Sequence, residues 1–268
     1  TRIAMGSKHD PSREGDDAMK TSGNTVLITG GATGIGFAFA KELIQADNTV
    51  IVCGRHESSL KEAKQKLPQM HIKVCDVSKE RQRNELFKWV TSNFTDINIL
   101  VNNAGIQRMI NLKTGESNRS PDEDEIDINF KAPVQLCELF IPSLMEKKTS
   151  AIVNVSSGLG FCPLAMMPVY CATKAAIHSF TVSLRYQLRN TPVKVFEIIP
   201  PIVDTELDRG ARDKRGQRDR GIPASEVAVA VMTALEHDEY EKAVGMAEGL
   251  RDGARTNLEQ LFRQMNHG

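Results

Sequence analysis

Tyr170 and Lys174 stand four residues apart in Tyr170-Cys171-Ala172-Thr173-Lys174. In a helix that spacing puts both side chains on one face. A tyrosine hydroxyl ordinarily ionises near ~10. A lysine cation beside it favours the phenolate and lowers that value. A phenol tuned in this way can give a proton to a carbonyl oxygen as a hydride arrives, or take one from an alcohol. Ser157 lies thirteen residues upstream, at the end of the apolar run 151–156. Its hydroxyl could hold the reacting oxygen near the phenol. Ser156 adjoins it, and only the spacing to Tyr170 favours Ser157. Asn129, in an earlier helical run, could anchor a water that relays protons to Lys174.

A second constellation is Thr29-Gly30-Gly31-Ala32-Thr33-Gly34-Ile35-Gly36, between an apolar run and a helical pattern. Gly30 can take the angles of a tight turn. Gly34 and Gly36 lack a Cβ, so a pyrophosphate and the sheet can approach closely. The amides that open the helix carry partial positive charge and suit a phosphate. A strand–turn–helix context is what a dinucleotide-binding turn requires. After the next apolar run the chain reads Val52-Cys53-Gly54-Arg55-His56. A site for NAD usually has a carboxylate there to hold the ribose 2′-OH. None is present, and a guanidinium at Arg55 can fork onto a 2′-phosphate. Thr33 adds a further hydroxyl. The sequence therefore predicts NADP(H) as the preferred cofactor, with NAD(H) as the alternative. The candidate contacts are Gly30, Ala32, Thr33, Gly34, Ile35, Gly36, Gly54 and Arg55.

Elements must position these groups. Short β-branched runs at 25–29, 49–53, 71–75, 97–101, 151–156 and 193–199, with a short one at 240–244, read as seven strands. Near-continuous apolar runs suit strands buried on both faces. Helical patterns lie between them, at 34–46, 57–67, 78–93, 122–148, 168–190 and 224–237. Pro133 and Pro142 predict a kink in the fourth. This alternation predicts an α/β fold: a doubly wound, parallel, seven-stranded sheet of Rossmann type with helices on both faces. Ligands bind beyond the carboxyl ends of such strands, where the motifs above fall.

Composition narrows the partners. The 268 residues carry 34 basic and 34 acidic side chains, a net charge of zero. That argues against a nucleic-acid binder, which needs excess Lys and Arg. No apolar run approaches the ~18 residues of a membrane span. Five cysteines without a CxxC pair read as buried reduced thiols in a cytoplasmic protein. The six histidines show no ligand spacing, so no structural metal is expected. Residues 1–18 lack apolar periodicity and read as a tag or disordered arm, leaving one oxidoreductase domain over 19–268. The stretch 208–220 holds nine charges in thirteen residues and reads as a solvated loop or a lid over the site.

Together these motifs resemble the short-chain dehydrogenase/reductase family, in its branch with TGxxxGxG and YxxxK. The shared elements are TGGATGIG at 29–36, CDV at 75–77, NNAG at 102–105, Asn129, Ser157, YCATK at 170–174 and PPIVDT at 200–205. The sequence is also similar to the DltE-like oxidoreductase group, which fixes no substrate. The resemblance implies reversible hydride transfer between a carbonyl and a secondary alcohol. It implies that Tyr170 is the acid/base, Ser157 the substrate-oxygen holder and Asn129 the relay anchor. Lys174 would lower the tyrosine pKa and bind the nicotinamide ribose. Asp76 and the Val77 amide would meet the adenine; Asn103, Ala104 and Gly105 would line its ribose. Val203 and Thr205 would contact the carboxamide and phosphates. The family usually has Pro-Gly where this chain has Pro200-Pro201, which removes an amide donor and stiffens the loop. Expected substrate walls are Ile106, Gln107, Gly158, Leu159, Met166, Met167 and part of 206–222. The family's helix bundle implies a homodimer or homotetramer. A catalytically inactive NADP(H)-sensing protein is the alternative function, against which all four catalytic positions are present.

Overall fold

Alternation of buried side chains along the central strands builds two main cores, one on each face of a single sheet. The computed structural model describes residues 19–117, 123–207 and 221–266. The strands of the main sheet are β1 (Thr25–Thr29), β2 (Thr49–Gly54), β3 (His71–Val74), β4 (Ile97–Asn102), β7 (Ser150–Val155), β8 (Val193–Ile199) and β9 (Glu241–Ala243). All pair in parallel, in the order β3-β2-β1-β4-β7-β8-β9. A two-stranded antiparallel pair, β5 (Ile110–Asn111) with β6 (Glu116–Ser117), follows β4.

Val26 and Ile28 of β1 face one core, with Phe39 and Leu43 of α1 (Gly34–Gln45), Leu60 of α2 (Glu57–Lys66) and Val227 and Val231 of α6 (Ala224–Glu236). Leu27 faces the other, with Leu86 of α3 (Glu80–Asn93), Leu136 and Phe140 of α4 (Ala132–Met145) and Leu184 of α5 (Pro168–Gln187). Each fully buried side chain of this size contributes about 2 kcal/mol. The predicted α/β class, the seven parallel strands and the helices on both faces are all observed, with most ends within one or two residues.

Three features differ from the expectation. The pattern at 122–148 is divided: a π-turn, Asp127–Lys131, precedes α4. Pro133 explains the widening, because it has no N–H for the carbonyl four residues earlier. The pair β5–β6 and a C-terminal helix, α7 (Met246–Asn266), were not foreseen. Helix α7 is broken by non-helical angles at Asn257, and of its residues only Ala247 is buried. The readings of 1–18 and of 208–220 fall outside the described residues. All five cysteines are buried and none is in a disulfide. Burial pushes the thiol of Cys137 up to about 12 and that of Cys171 to about 11.

The glycine turn is fastened to the sheet by Thr29. Its hydroxyl donates to the Val101 carbonyl at 3.2 Å and accepts the amides of Asn103 at 3.0 Å and Ala104 at 3.1 Å. Thr29→Val keeps the shape and leaves two amides without this partner. It should lower unfolding free energy by about 2–3 kcal/mol, measured by urea denaturation.

Candidate active site

The carboxyl ends of β1, β2, β4, β7 and β8 open onto one cavity of about 650 Å³. Its walls include most of the predicted cofactor residues: Gly30, Ala32, Thr33, Gly34, Ile35, Gly54, Arg55, Asp76, Val77, Asn103, Ala104, Gly105, Val203 and Thr205. Ser157, Tyr170 and Lys174 line it too. Gly36 and Asn129 stand behind this wall.

Gly30 has φ +64°, and an added Cβ would lie 2.9 Å from Ala104 Cα. Both its angles and its neighbour therefore exclude a side chain. At Gly36 a Cβ would fall 2.6 Å from Asn103 Nδ2, so Gly36 serves the packing of turn against β4 rather than the cavity. The Asn103 amide donates to the carbonyls of Thr29 and Gly30 at 3.0 and 3.1 Å. Asp76 accepts the Ser78 amide at 2.9 Å, which shapes the turn after β3. These two side chains thus spend polar atoms on the scaffold of the cavity.

Helix α5 carries Tyr170 and Lys174, both 5% exposed, into the cavity wall. Lys174 Nζ lies 5.7 Å from the Tyr170 ring centroid and donates to the Val155 carbonyl at 2.9 Å. Burial lowers the Lys174 pKa from its ordinary 10.5 to about 8, against an opposing pull from Glu197. Gly160, in the 3-10 turn Gly158–Gly160, packs on the helix backbone at this point; a Cβ there would lie 2.9 Å from Lys174 C.

The two serines separate cleanly. Ser157 Oγ accepts the Leu159 amide at 3.1 Å, which leaves its O–H to donate into the cavity. Ser156 also lines the cavity, but its Oγ donates to Glu197 Oε1 at 2.6 Å, with the Ile198 carbonyl at 3.4 Å, so its hydroxyl is already engaged. Asn129 spends its side chain on a clamp. Its Oδ1 accepts the Ile106 amide at 2.9 Å, and its Nδ2 donates to the Ile106 carbonyl at 2.8 Å and to Thr173 Oγ1 at 3.1 Å. Any relay at Asn129 must therefore use its backbone carbonyl, which Pro133 deprives of the usual helical donor.

Several site residues escaped the sequence reading. Glu123 pairs with both Arg55 and Arg108. It lies 68 residues beyond Arg55 in sequence, and no motif connects them. Met246, Leu250 and Met265 of α7 join Leu159, Leu164, Met166 and Met167 at the apolar end of the cavity. The expected walls Ile106, Gln107 and Gly158 are also there, with Gln107 Nε2 donating to Met167 Sδ at 2.7 Å.

A parallel sheet wound on both faces, a glycine turn after β1 and a Tyr–Lys pair at the strand ends define a Rossmann-type oxidoreductase. The chain belongs to the short chain dehydrogenase family, whose profile matches residues 24–216. It is 50% identical over 248 residues to the uncharacterized oxidoreductase DltE of Bacillus subtilis (strain 168), covering 92% of this chain and 98% of that protein. A short chain dehydrogenase from Burkholderia cenocepacia J2315 in complex with NADP superposes with a TM-score of 0.78 at 25% identity, over 92% of this chain and 99% of that one. A family member from Burkholderia phymatum in complex with NAD has the same fold, with a TM-score of 0.80 at 21% identity over 92% and 96% of the two chains.

Lys174 sets a pH test of stability. Its proton affinity is lower folded than unfolded, so the unfolded chain binds the extra proton between about pH 8 and 10.5. Stability should rise with pH across that window, and the full cost applies below it. Lys174→Met, which gives up the Val155 hydrogen bond, should still stabilise the fold at pH 7 by about 2 kcal/mol. The gain should vanish above pH 10.5, as read from denaturation at several pH values.

Proposed function

We propose that the chain, as one catalytic domain over 19–268, is an NADP(H)-dependent oxidoreductase that interconverts a carbonyl and a secondary alcohol. The observation that carries this reading is the convergence of Tyr170, Lys174 and Ser157 on one wall of the cavity that the glycine turn opens.

The residues present fit a dinucleotide. Gly30 and Gly34 both hold positive φ, and a Cβ at Gly30 would fill the cradle against Ala104. The amides opening α1 would take the pyrophosphate. Asp76 and Val77 would hold the adenine, and Asn103, Ala104 and Gly105 its ribose. Lys174 would hold the nicotinamide ribose, and Val203 and Thr205 the carboxamide and phosphates. A bound nicotinamide supplies or accepts the hydride.

In the reductive direction Ser157 donates a hydrogen bond to the carbonyl oxygen. Tyr170 gives that oxygen its proton. The Lys174 ammonium stabilises the phenolate left behind. Reprotonation runs through Lys174 toward a water on the Asn129 carbonyl. Alcohol oxidation reverses each proton movement. The substrate end, walled by leucines and methionines, suits a carbonyl with apolar substituents.

The preference for NADP(H) rests on Arg55, with NAD(H) as the alternative. The carboxylate missing from the end of β2 is partly replaced by Glu123, which reaches Arg55 from the segment after β6. A 2′-phosphate must exchange with that carboxylate to engage Arg55. Partners beyond the small-molecule substrate are copies of the chain itself. Exposed Met145 on α4 and Val182 and Tyr186 on α5 support a homodimer or homotetramer. Five reduced, buried thiols suit the cytoplasm. Among the described residues no helix is long and apolar enough to cross a membrane.

Two experiments test the reading. Tyr170→Phe should lower kcat for NADPH-dependent reduction of a carbonyl panel by about a thousandfold and leave NADPH binding unchanged; unaltered turnover would remove Tyr170 from the mechanism. In titrations with each cofactor, Arg55→Ala should weaken NADP more than NAD. Glu123→Gln should tighten NADP roughly fivefold, the worth of about 1 kcal/mol in a half-buried ion pair.

A further inference from the structure

Behind the reacting face lies a buried polar cluster that the mechanism above does not use. Glu197, on β8, is 0% exposed. One carboxylate oxygen, Oε1, accepts the Ser156 hydroxyl at 2.6 Å. The other, Oε2, meets His178 Nδ1 at 2.8 Å. These two partners belong to the two elements that carry the chemistry. Ser156 sits between Val155, whose carbonyl anchors Lys174, and Ser157. His178 lies one helical turn after Lys174, so Tyr170, Lys174 and His178 share a face of α5. A single carboxylate therefore joins the end of β7 to α5 through β8.

The other charges around this carboxylate are accounted for. On α5, Arg185 donates to the carbonyls of Val195 and Tyr240 at 2.8 and 2.7 Å. Tyr240 itself precedes β9, and Glu241 of β9 pairs with Arg255 at 2.8 Å and with Arg251 at 3.6 Å, both from α7. Arg251 also pairs with Asp252. Phe161 packs at a tilt against His178 with ring centroids 4.5 Å apart, and Arg255 lies over Phe161. His178, Glu197 and Glu241 bring ligand atoms within 4.8 Å of one another. Two guanidinium groups already balance Glu241, so a metal is not needed to hold the trio. Glu197 raises the Lys174 proton affinity against burial, and its hydrogen bond raises that of His178.

We propose that Glu197 is a positioning residue for the reaction: its two oxygens fix Ser157 and the Val155 anchor against α5, and its charge holds the Lys174 ammonium in place. The proposal rests on the reading of Tyr170 and Lys174 as the proton-transfer pair. Loss of the charge, with the shape kept, would leave Lys174 less readily protonated and Tyr170 less readily ionised.

The test is a near-ultraviolet difference titration of Tyr170, with Tyr170→Phe as the blank, run without substrate on the wild type and on Glu197→Gln. The ionisation midpoint of Tyr170 should rise by about half a pH unit or more in Glu197→Gln. Glu197→Asp, which keeps the charge, should return it toward the wild-type value. With a carbonyl that the wild type reduces, kcat of Glu197→Gln should fall about tenfold, with KM for both substrates within about threefold. A midpoint that does not move overturns the proposal, whether or not kcat falls. If Glu197→Gln does not fold, His178→Phe carries the test. Phenylalanine keeps a ring against Phe161 and cannot bond Glu197, so one grip is lost while the Glu197 carboxylate stays. The kcat should fall severalfold; a wild-type kcat overturns the proposal. A wild-type Tyr170 that ionises no more readily than Tyr186 or Tyr240 would instead count against the catalytic pair itself.

Discussion

The bond from Lys174 Nζ to the Val155 carbonyl is the point at which sheet and helix become one active site. An ammonium group is costly to bury, and here almost no water reaches it. The cost is offset only in part, by a backbone acceptor at 2.9 Å on one side and by the field of Glu197 on the other. Once the ammonium is fixed, α5 cannot turn or slide without breaking that bond. Tyr170, one turn earlier, is fixed with it. The strand end that supplies the acceptor also presents Ser157. One hydrogen bond thus couples the placement of all three groups facing the cavity.

The fold was legible because its signals are local and repeated. A run such as Val26-Leu27-Ile28 divides its side chains between two cores, and a strand buried on both faces needs continuous apolar sequence. The turn at Gly30 and Gly34 was legible for a related reason: positive φ restricts the residue type whatever surrounds it. Helix α7 was not legible. Its pattern is interrupted at Asn257, its glycines weaken the helical signal, and it buries little of its own surface. The split before α4 was half legible. Pro133 announced a disturbance, but the sequence did not say that the ladder would widen into a π-turn.

The site divides in the same way. Residues joined by helical spacing or by a glycine motif were found, since neighbours along the chain stay neighbours in space. Contacts between distant segments were missed. Glu123 reaches Arg55 from the segment after β6, and Glu197 reaches His178 from a strand to the helix packed on it. Nothing in Val-Phe-Glu-Ile-Ile (195–199) marks its one carboxylate as buried; the run reads as a core strand with an anomaly in it. Asn129 and Gly36 do not line the cavity; their contacts support the residues that do. Motif matching identifies a position without saying whether it touches the ligand or supports what does.

Helix α7 has a consequence for how this enzyme can diversify. The proposed proton-handling groups come from α5 and the turn after β7, whereas Met246, Leu250 and Met265 reach the cavity from the last stretch of the described chain. Part of the apolar end is thus supplied by a piece of polypeptide distinct from the one that carries Ser157, Tyr170 and Lys174, beside Leu159, Leu164, Met166 and Met167 from that same stretch. Substitutions in the terminal helix can reshape which molecules are admitted while the reacting machinery stays untouched. A drifting C-terminus therefore offers a lineage of such proteins a low-risk route to new substrates.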